Sequence, residues 1–149
     1  MKIKLAVLFG GRSVEHEVSV ISALQAMENL NADKYDIIPV YIGKNGEMYT
    51  GEALRDMDEY KNIPQLLKKS IPVNFVIRDS KTMLVRKYAK KFGNNDITEV
   101  EVALPVVHGT NVEDGALQGY LRTLGLPFAG CDVLASAVGM DKYVMKAML

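Results

Sequence analysis

Two stretches concentrate the side chains that could do chemistry. In "LFGGRSVEHEVSVISA", Leu8 to Ala23, two glycines, Arg12, His16 and the carboxylates Glu15 and Glu17 separate an apolar run from a helix-like pattern. In "HGTNVEDG", His108 to Gly115, a histidine follows a second apolar run, with Gly109 beside it and Glu113 and Asp114 close behind. Adjacent glycines between strand and helix suit a phosphate-binding turn. Neither G-x-G-x-x-G nor the G-K-[ST] of a P-loop is present, however, and Glu15 and Glu17 would repel a phosphate. The carboxylates suit the opposite charge. A glutamate in a first helical turn is held as an anion by the macrodipole and free backbone N–H groups, so it is a poor general base and a good partner for an ammonium group. Glu15 could equally serve only to start the helix. His108, at a strand's carboxyl end beside Gly109, could line a site or be a hydrogen-bonded structural residue. The residues alone leave both questions open.

Other chemistries lack their signatures. The two histidines lie far apart and match no metal-ligand spacing. No G-x-S-x-G elbow supports a serine hydrolase. Cys131 has no histidine near it in sequence and reads as packing, and the eight methionines read as core filling. Glu113 and Asp114 are explained by capping the helix that follows them.

The elements that must position these side chains are legible in hydropathy. Leu5–Phe9 is an unbroken apolar run, the pattern of a strand buried on both faces. From Val14 the apolar residues Val14, Val18, Ile21, Leu24, Met27 and Leu30 recur every three or four positions, which predicts a helix with that stripe inward and Ser13 as its N-cap. Residues 36–43 form a second strand, and Asn45-Gly46 predicts that Met48–Thr50 turns back antiparallel. Residues 52–69 read as charged and partly helical, 72–77 and 83–86 as short strands around "DSKT", and 87–95 as a basic connection. Residues 100–107 are a buried strand, 116–124 a helix ending at Gly125, and "LPFAG" a further short strand. Residues 133–138 read as a short helical turn, and a helix starts within "MDKYVMKAML". Strand, polar loop and helix thus recur around residues 12 and 110. That alternation predicts parallel strands with right-handed crossovers in an open doubly wound α/β sheet. Ligands bind such sheets beyond the strands' carboxyl ends, where both decorated loops fall.

Composition narrows the function classes. Eighteen basic and eighteen acidic residues cancel, which disfavours nucleic acid or an anionic membrane as partner. No apolar stretch approaches the roughly 20 residues of a bilayer span. "MKIKLAVLFGG" ends in Gly10-Gly11-Arg12 without a cleavage site, so it is read as a strand and not a targeting segment. With one cysteine, a cytoplasmic setting is expected. The last residues lie in mid-helix, so the chain is expected to be part of something longer.

Three ordered stretches, "LFGGRSVEHEVSVISA", "LPVVHGTNVEDGALQGYL" and "GLPFAGCDVLASAVGMDK", closely resemble the N-terminal part of D-alanine–D-alanine ligases. That family includes the D-alanine–D-lactate and D-alanine–D-serine ligases of vancomycin resistance. The matching signatures are G-G-x-S-x-E-x-x-V-S, H-G-x-x-G-E-D-G-x-x-Q-G and S-A-x-x-M-D-K. The resemblance implies a mostly parallel Rossmann-like, pre-ATP-grasp sheet with helices on both faces. It divides the chain into a substrate domain, 1–125, and the start of a connection to an ATP-grasp region, 126–149. The implied reaction is ATP-dependent joining of two D-alanines through an acyl phosphate, for peptidoglycan. Glu15 matches the glutamate that binds the first substrate's ammonium group, His108 the histidine of the same subsite, and Ser19 a serine near the substrate. Lys142 matches a lysine that reaches the ATP phosphates. ATP and Mg²⁺ are implied, with the magnesium ligands outside this chain, and a homodimer through this domain is expected. Alone, the 149 residues are expected to lack ligase activity. A D-alanine–D-lactate or D-alanine–D-serine ligase of the same family is one alternative, and a non-catalytic α/β ligand-binding or dimerisation module is the alternative from another class. Val112 stands where the family has glycine, which predicts strain if that position has positive φ.

Overall fold

The computed structural model describes residues 1–148. In chain order, β1 (Ile3–Gly10) leads through a tight turn into α1 (His16–Asn29), then β2 (Tyr35–Ile42) and the short β3 (Met48–Thr50). Two 3₁₀ segments, Glu52–Arg55 and Met57–Asn62, precede α2 (Ile63–Lys69). The hairpin β4 (Ile71–Arg78) and β5 (Lys81–Arg86) follows, then β6 (Asp96–Glu99) and β7 (Val102–Val107). The chain closes with α3 (Ala116–Thr123), α4 (Val133–Met140) and α5 (Lys142–Met148). The strands form one sheet in the order β6-β5-β4-β3-β2-β1-β7.

β1 lies between β2 and β7, parallel to both, and Gly10 is in register with Ile42 on one side and Val107 on the other. The expected doubly wound part is therefore present, and β3 to β6 extend it as an antiparallel wing, making the sheet mixed. Leu5 to Phe9 are buried to 5% exposure or less because both faces are covered. Val7 and Phe9 face α1 and α2 with Val20, Leu24 and Leu66, while Ala6 and Leu8 face the opposite cluster with Leu117 and Leu121 of α3.

The structure corrects several local expectations. Ser13 is not the N-cap of α1: its Oγ accepts the Glu15 N–H at 3.1 Å, closing the turn before the helix, and Glu15 takes the cap position. The inward face of α1 is also rotated from the apolar stripe. Val14, Val18 and Ile21 are 92%, 51% and 47% exposed, while His16, Ser19, Val20, Ala23, Leu24 and Met27 are buried. Here two polar side chains win the buried positions because fixed partners satisfy both, as described below. β6 is an edge strand of charged and β-branched residues within a stretch that offers no apolar run. "LPFAG" makes only one bridge, Ala103 with Phe128, instead of a strand. Cys131 is exposed, and Met27 is the one buried methionine among the described residues. Val112 is not strained. The left-handed non-glycine residue in its loop is Asn111, at φ 66°, and Val112 is buried against Gly11.

Candidate functional site

Register brings the two decorated loops together. Because Gly10 and Val107 are partners across β1 and β7, the turn after Gly10 and the loop after Val107 emerge side by side at the sheet's carboxyl edge. They touch at Gly109. A Cβ there would overlap Ser13 Oγ and lie 3.6 Å from Glu15 Oε1, and the residue sits at φ +88°, so only glycine fits. Asn111 adds a second tie, donating from Nδ2 to the Arg12 carbonyl at 3.1 Å. A third is apolar: a Cβ on Gly11 would come within 2.6 Å of Val112 Cγ1.

Glu15 is exposed at the start of α1, and its carboxylate makes no capping hydrogen bond. It is left to face outward beside Gly109 in the positive field of the helix N-terminus. Glu17 behaves differently. Its Oε1 accepts from Lys44 Nζ at 2.6 Å, and that hydrogen bond holds its carboxyl below the usual carboxylate range. The two glutamates therefore serve different sides of the helix.

His108 is partly buried between α1 and its own loop. Its Nε2 shares a hydrogen bond with Ser22 Oγ at 3.3 Å, and its Nδ1 lies 3.8 Å from Glu113 Oε1. Glu113 does not cap α3. Its Oε2 accepts the Gly109 N–H at 2.5 Å and folds the loop back under the histidine. Asp114 instead accepts from the N–H groups of Asn111 and Ala116, at 2.7 and 3.2 Å. Sequence reasoning missed Ser22, Asn111 and Glu113. Ser22 had a signal, since it lies three residues after Ser19 on the flank of α1 that must meet β7.

Ser19 is wholly enclosed. Its Oγ accepts the Gly10 N–H at 2.7 Å and donates to the Val106 carbonyl at 2.5 Å, so the hydroxyl bridges the ends of β1 and β7 and has spent its proton. Its geometry is that of a positioning residue beneath the site. His16, also buried, ties the other side: Nδ1 lies 2.7 Å from the Gly11 carbonyl and Nε2 2.9 Å from Tyr41 Oη. Lys142 stands apart from Glu15. It opens α5 and lines a shallow hollow of about 570 Å³ with Thr110 and Asp114 of the His108 loop and with Asp141. Among the described residues no three His, Cys, Asp or Glu side chains gather as a metal site.

The arrangement can receive a small cationic group at the β1 and β7 carboxyl ends, against Glu15 and under His108. The family "D-ala D-ala ligase N-terminus" matches residues 4–131. The chain belongs to this family. The D-alanine–D-alanine ligase of Thermosipho melanesiensis is 38% identical over 148 residues, covering 99% of this chain and 39% of that protein. The solved D-alanine–D-alanine ligase from Coxiella burnetii superposes with a TM-score of 0.83 at 34% identity, over 99% of this chain and 40% of its own. The VanG D-Ala:D-Ser ligase from Enterococcus faecalis gives 0.77 at 38% identity, over 97% of this chain and 40% of its own. The chain thus spans about two fifths of the length of these ligase-family relatives.

Proposed function

We propose that this chain is the substrate-binding N-terminal domain of an ATP-dependent D-alanine–D-alanine ligase. The observation that carries the reading is Glu15: an exposed carboxylate at a helix start, uncommitted to capping, beside Gly109 and the His108 loop. In such a reaction ATP activates the carboxylate of the first D-alanine, and the amine of the second attacks the activated carbon. The first amine must stay protonated, or it would compete as nucleophile. Glu15 as counter-ion favours that ammonium form and orients the amino acid by charge. His108, steadied by Ser22 and Glu113, walls the same subsite, and Ser19 holds the β1 and β7 ends that carry both loops.

Lys142 is the one cation lining its hollow, a suitable contact for a nucleotide's phosphates, although Asp114 and Asp141 share that hollow. Among the described residues no three His, Cys, Asp or Glu side chains gather to hold Mg²⁺. The division into residues 1–125 and a connection over 126–149 toward an ATP-grasp region belongs to the same reading. So do a homodimer through this domain and a cytoplasmic setting. Among the described residues, no helix is long and apolar enough to cross a membrane.

Titration of the ¹⁵N-labelled chain with D-alanine tests the reading. Expected are saturable shifts at Gly11–Glu15 and His108–Gly109 that are lost in Glu15→Gln and absent with N-acetyl-D-alanine, which has no ammonium group. Equal response to the acetylated compound would refute the assignment. The chain alone, given ATP and D-alanine, is expected to form no dipeptide. Dipeptide formation by it would refute the proposed division of labour.

A further inference from the structure

A second cavity lies on the far side of α1 from Glu15's neighbours in the His108 loop. It encloses about 470 Å³ between α1 and the 52–69 segment, walled by Val20, Met57, Ile63 and Leu67, with Tyr41, Tyr60 and His16 adding polar atoms. That volume falls in the range of small-molecule sites, and an apolar wall with a few convergent polar groups is their usual composition. The Glu17–Lys44 pair stands at the rim. Its two side chains, 68% and 62% exposed, bond at 2.6 Å across the entrance and carry no net charge. The bridged pair leaves no net charge at the rim for a charged ligand to meet.

The polar groups define the rest of the ligand. The Gly11 carbonyl can only accept, so His16 donates from Nδ1, and in that tautomer Nε2 accepts the Tyr41 O–H. Tyr60 donates its O–H to the Leu54 carbonyl at 2.8 Å. Both phenols have spent their protons within the protein and retain lone pairs only. Burial also pushes both phenol pKa values up, Tyr41 to about 12, so neither supplies an anion at neutral pH. The rings of His16, Tyr41 and Tyr60 line the cavity and favour a flat ring against them, so the complementary ligand is aromatic, uncharged and equipped with one O–H or N–H donor.

We propose that this cavity is a second small-molecule site, for a neutral aromatic compound bearing a single hydrogen-bond donor, distinct from the amino-acid subsite at Glu15. It lies one hydrogen-bonded ring, His16, from the Gly11 carbonyl and hence from the turn that carries Glu15.

The probe is 2-naphthol, titrated into the ¹⁵N-labelled chain, with 2-methoxynaphthalene lacking the donor and naphthalene-2-sulfonate adding a charge. Expected are saturable shifts at sub-millimolar 2-naphthol that map to His16–Val20 and Met57–Leu67, with at least fivefold weaker binding of the other two compounds. Met57→Trp, a change at a 43% exposed position that fills the cavity, should abolish them. A second blocking variant, Ile63→Trp, guards against misfolding of the first, and each is checked by its circular dichroism and urea midpoint. Absence of saturable shifts, shifts mapping elsewhere, equal binding of 2-methoxynaphthalene, or binding retained by both folded variants would overturn the proposal. The readout is binding by this domain, so its failure leaves the ligase reading standing and the reverse also holds.

Discussion

Ser19→Ala separates a positioning serine from a substrate contact. The hydroxyl is wholly enclosed and makes two hydrogen bonds, accepting from Gly10 N–H at 2.7 Å and donating to the Val106 carbonyl at 2.5 Å. Truncation leaves the Gly10 N–H facing a gap too small for water. A buried donor left without a partner costs about 1–3 kcal/mol. The Val106 carbonyl, which loses one donor, adds less, because a carbonyl tolerates partial satisfaction better. We expect a total of about 2 kcal/mol, equivalent to a fall in Tm of about 4–8 °C for a chain of this size. Urea unfolding followed by far-UV circular dichroism should show a lower midpoint at unchanged slope, and the Gly10 amide should exchange with solvent faster than in the wild type. The substitution adds no bulk and keeps helix propensity high, so any loss reports the two hydrogen bonds. A variant within about 0.5 kcal/mol of wild type, with Gly10 exchange unchanged, would refute the reasoning.

Other variants probe the same edge of the sheet. Glu15→Gln should shift the urea midpoint by less than about 0.5 kcal/mol, since the side chain is exposed and caps nothing, while abolishing the D-alanine response. Gly109→Ala should cost about 2 kcal/mol or more, because a left-handed alanine is itself unfavourable and its Cβ displaces Ser13; an unchanged midpoint would contradict the close contact. Val112→Ala should destabilise by about 1–2 kcal/mol through lost packing on Gly11, whereas a strained valine would give the opposite sign. Tyr41 has its phenol pKa raised from 10.0 to about 12, chiefly by burial, so the unfolded chain ionises first as pH rises. Stability should therefore fall from about pH 10 toward pH 12, by up to about 2.7 kcal/mol from this group, and Tyr41→Phe should flatten that part of the curve measured by urea midpoints.

What could be read from the sequence follows from which forces write themselves locally. Leu5–Phe9 announces a doubly covered strand because burial on both faces removes all alternation. Asn45-Gly46 announces the β2–β3 hairpin because its turn takes a left-handed residue, here Gly46 at φ +82°. α1 was legible as a helix but not in its rotation. Hydrophobicity pointed Val14, Val18 and Ile21 inward, while the sheet takes Ser19 and His16, whose partners at Gly10, Val106, Gly11 and Tyr41 come from distant parts of the chain. The same limit hid the role of Glu113, which reads as a helix cap until the loop closes and presents the Gly109 N–H to it. Glu15, His108 and Lys142 stood out by motif, but only the β1–β7 pairing shows that the first two share an edge.

The misread rotation of α1 bears on how the site is built. A helix packed through an apolar stripe can slide by fractions of an ångström with little change in energy, because hydrophobic contact is non-directional. A helix anchored by hydrogen bonds of 2.5–2.7 Å from Ser19 to two strand ends has no such freedom. Ser19 and His16 tie α1 to the ends of β1, β2 and β7, the strands whose carboxyl edge carries the loops. Glu15, immediately before the first helical residue, inherits that fixed position through its backbone, while its carboxylate caps nothing. Buried polar groups thus do the positioning, and the charge that meets the ligand stays free. The exposed Val14, Val18 and Ile21 are the consequence: the helix turns these three outward so that His16 and Ser19 can lie against the sheet beside Val20, Ala23, Leu24 and Met27.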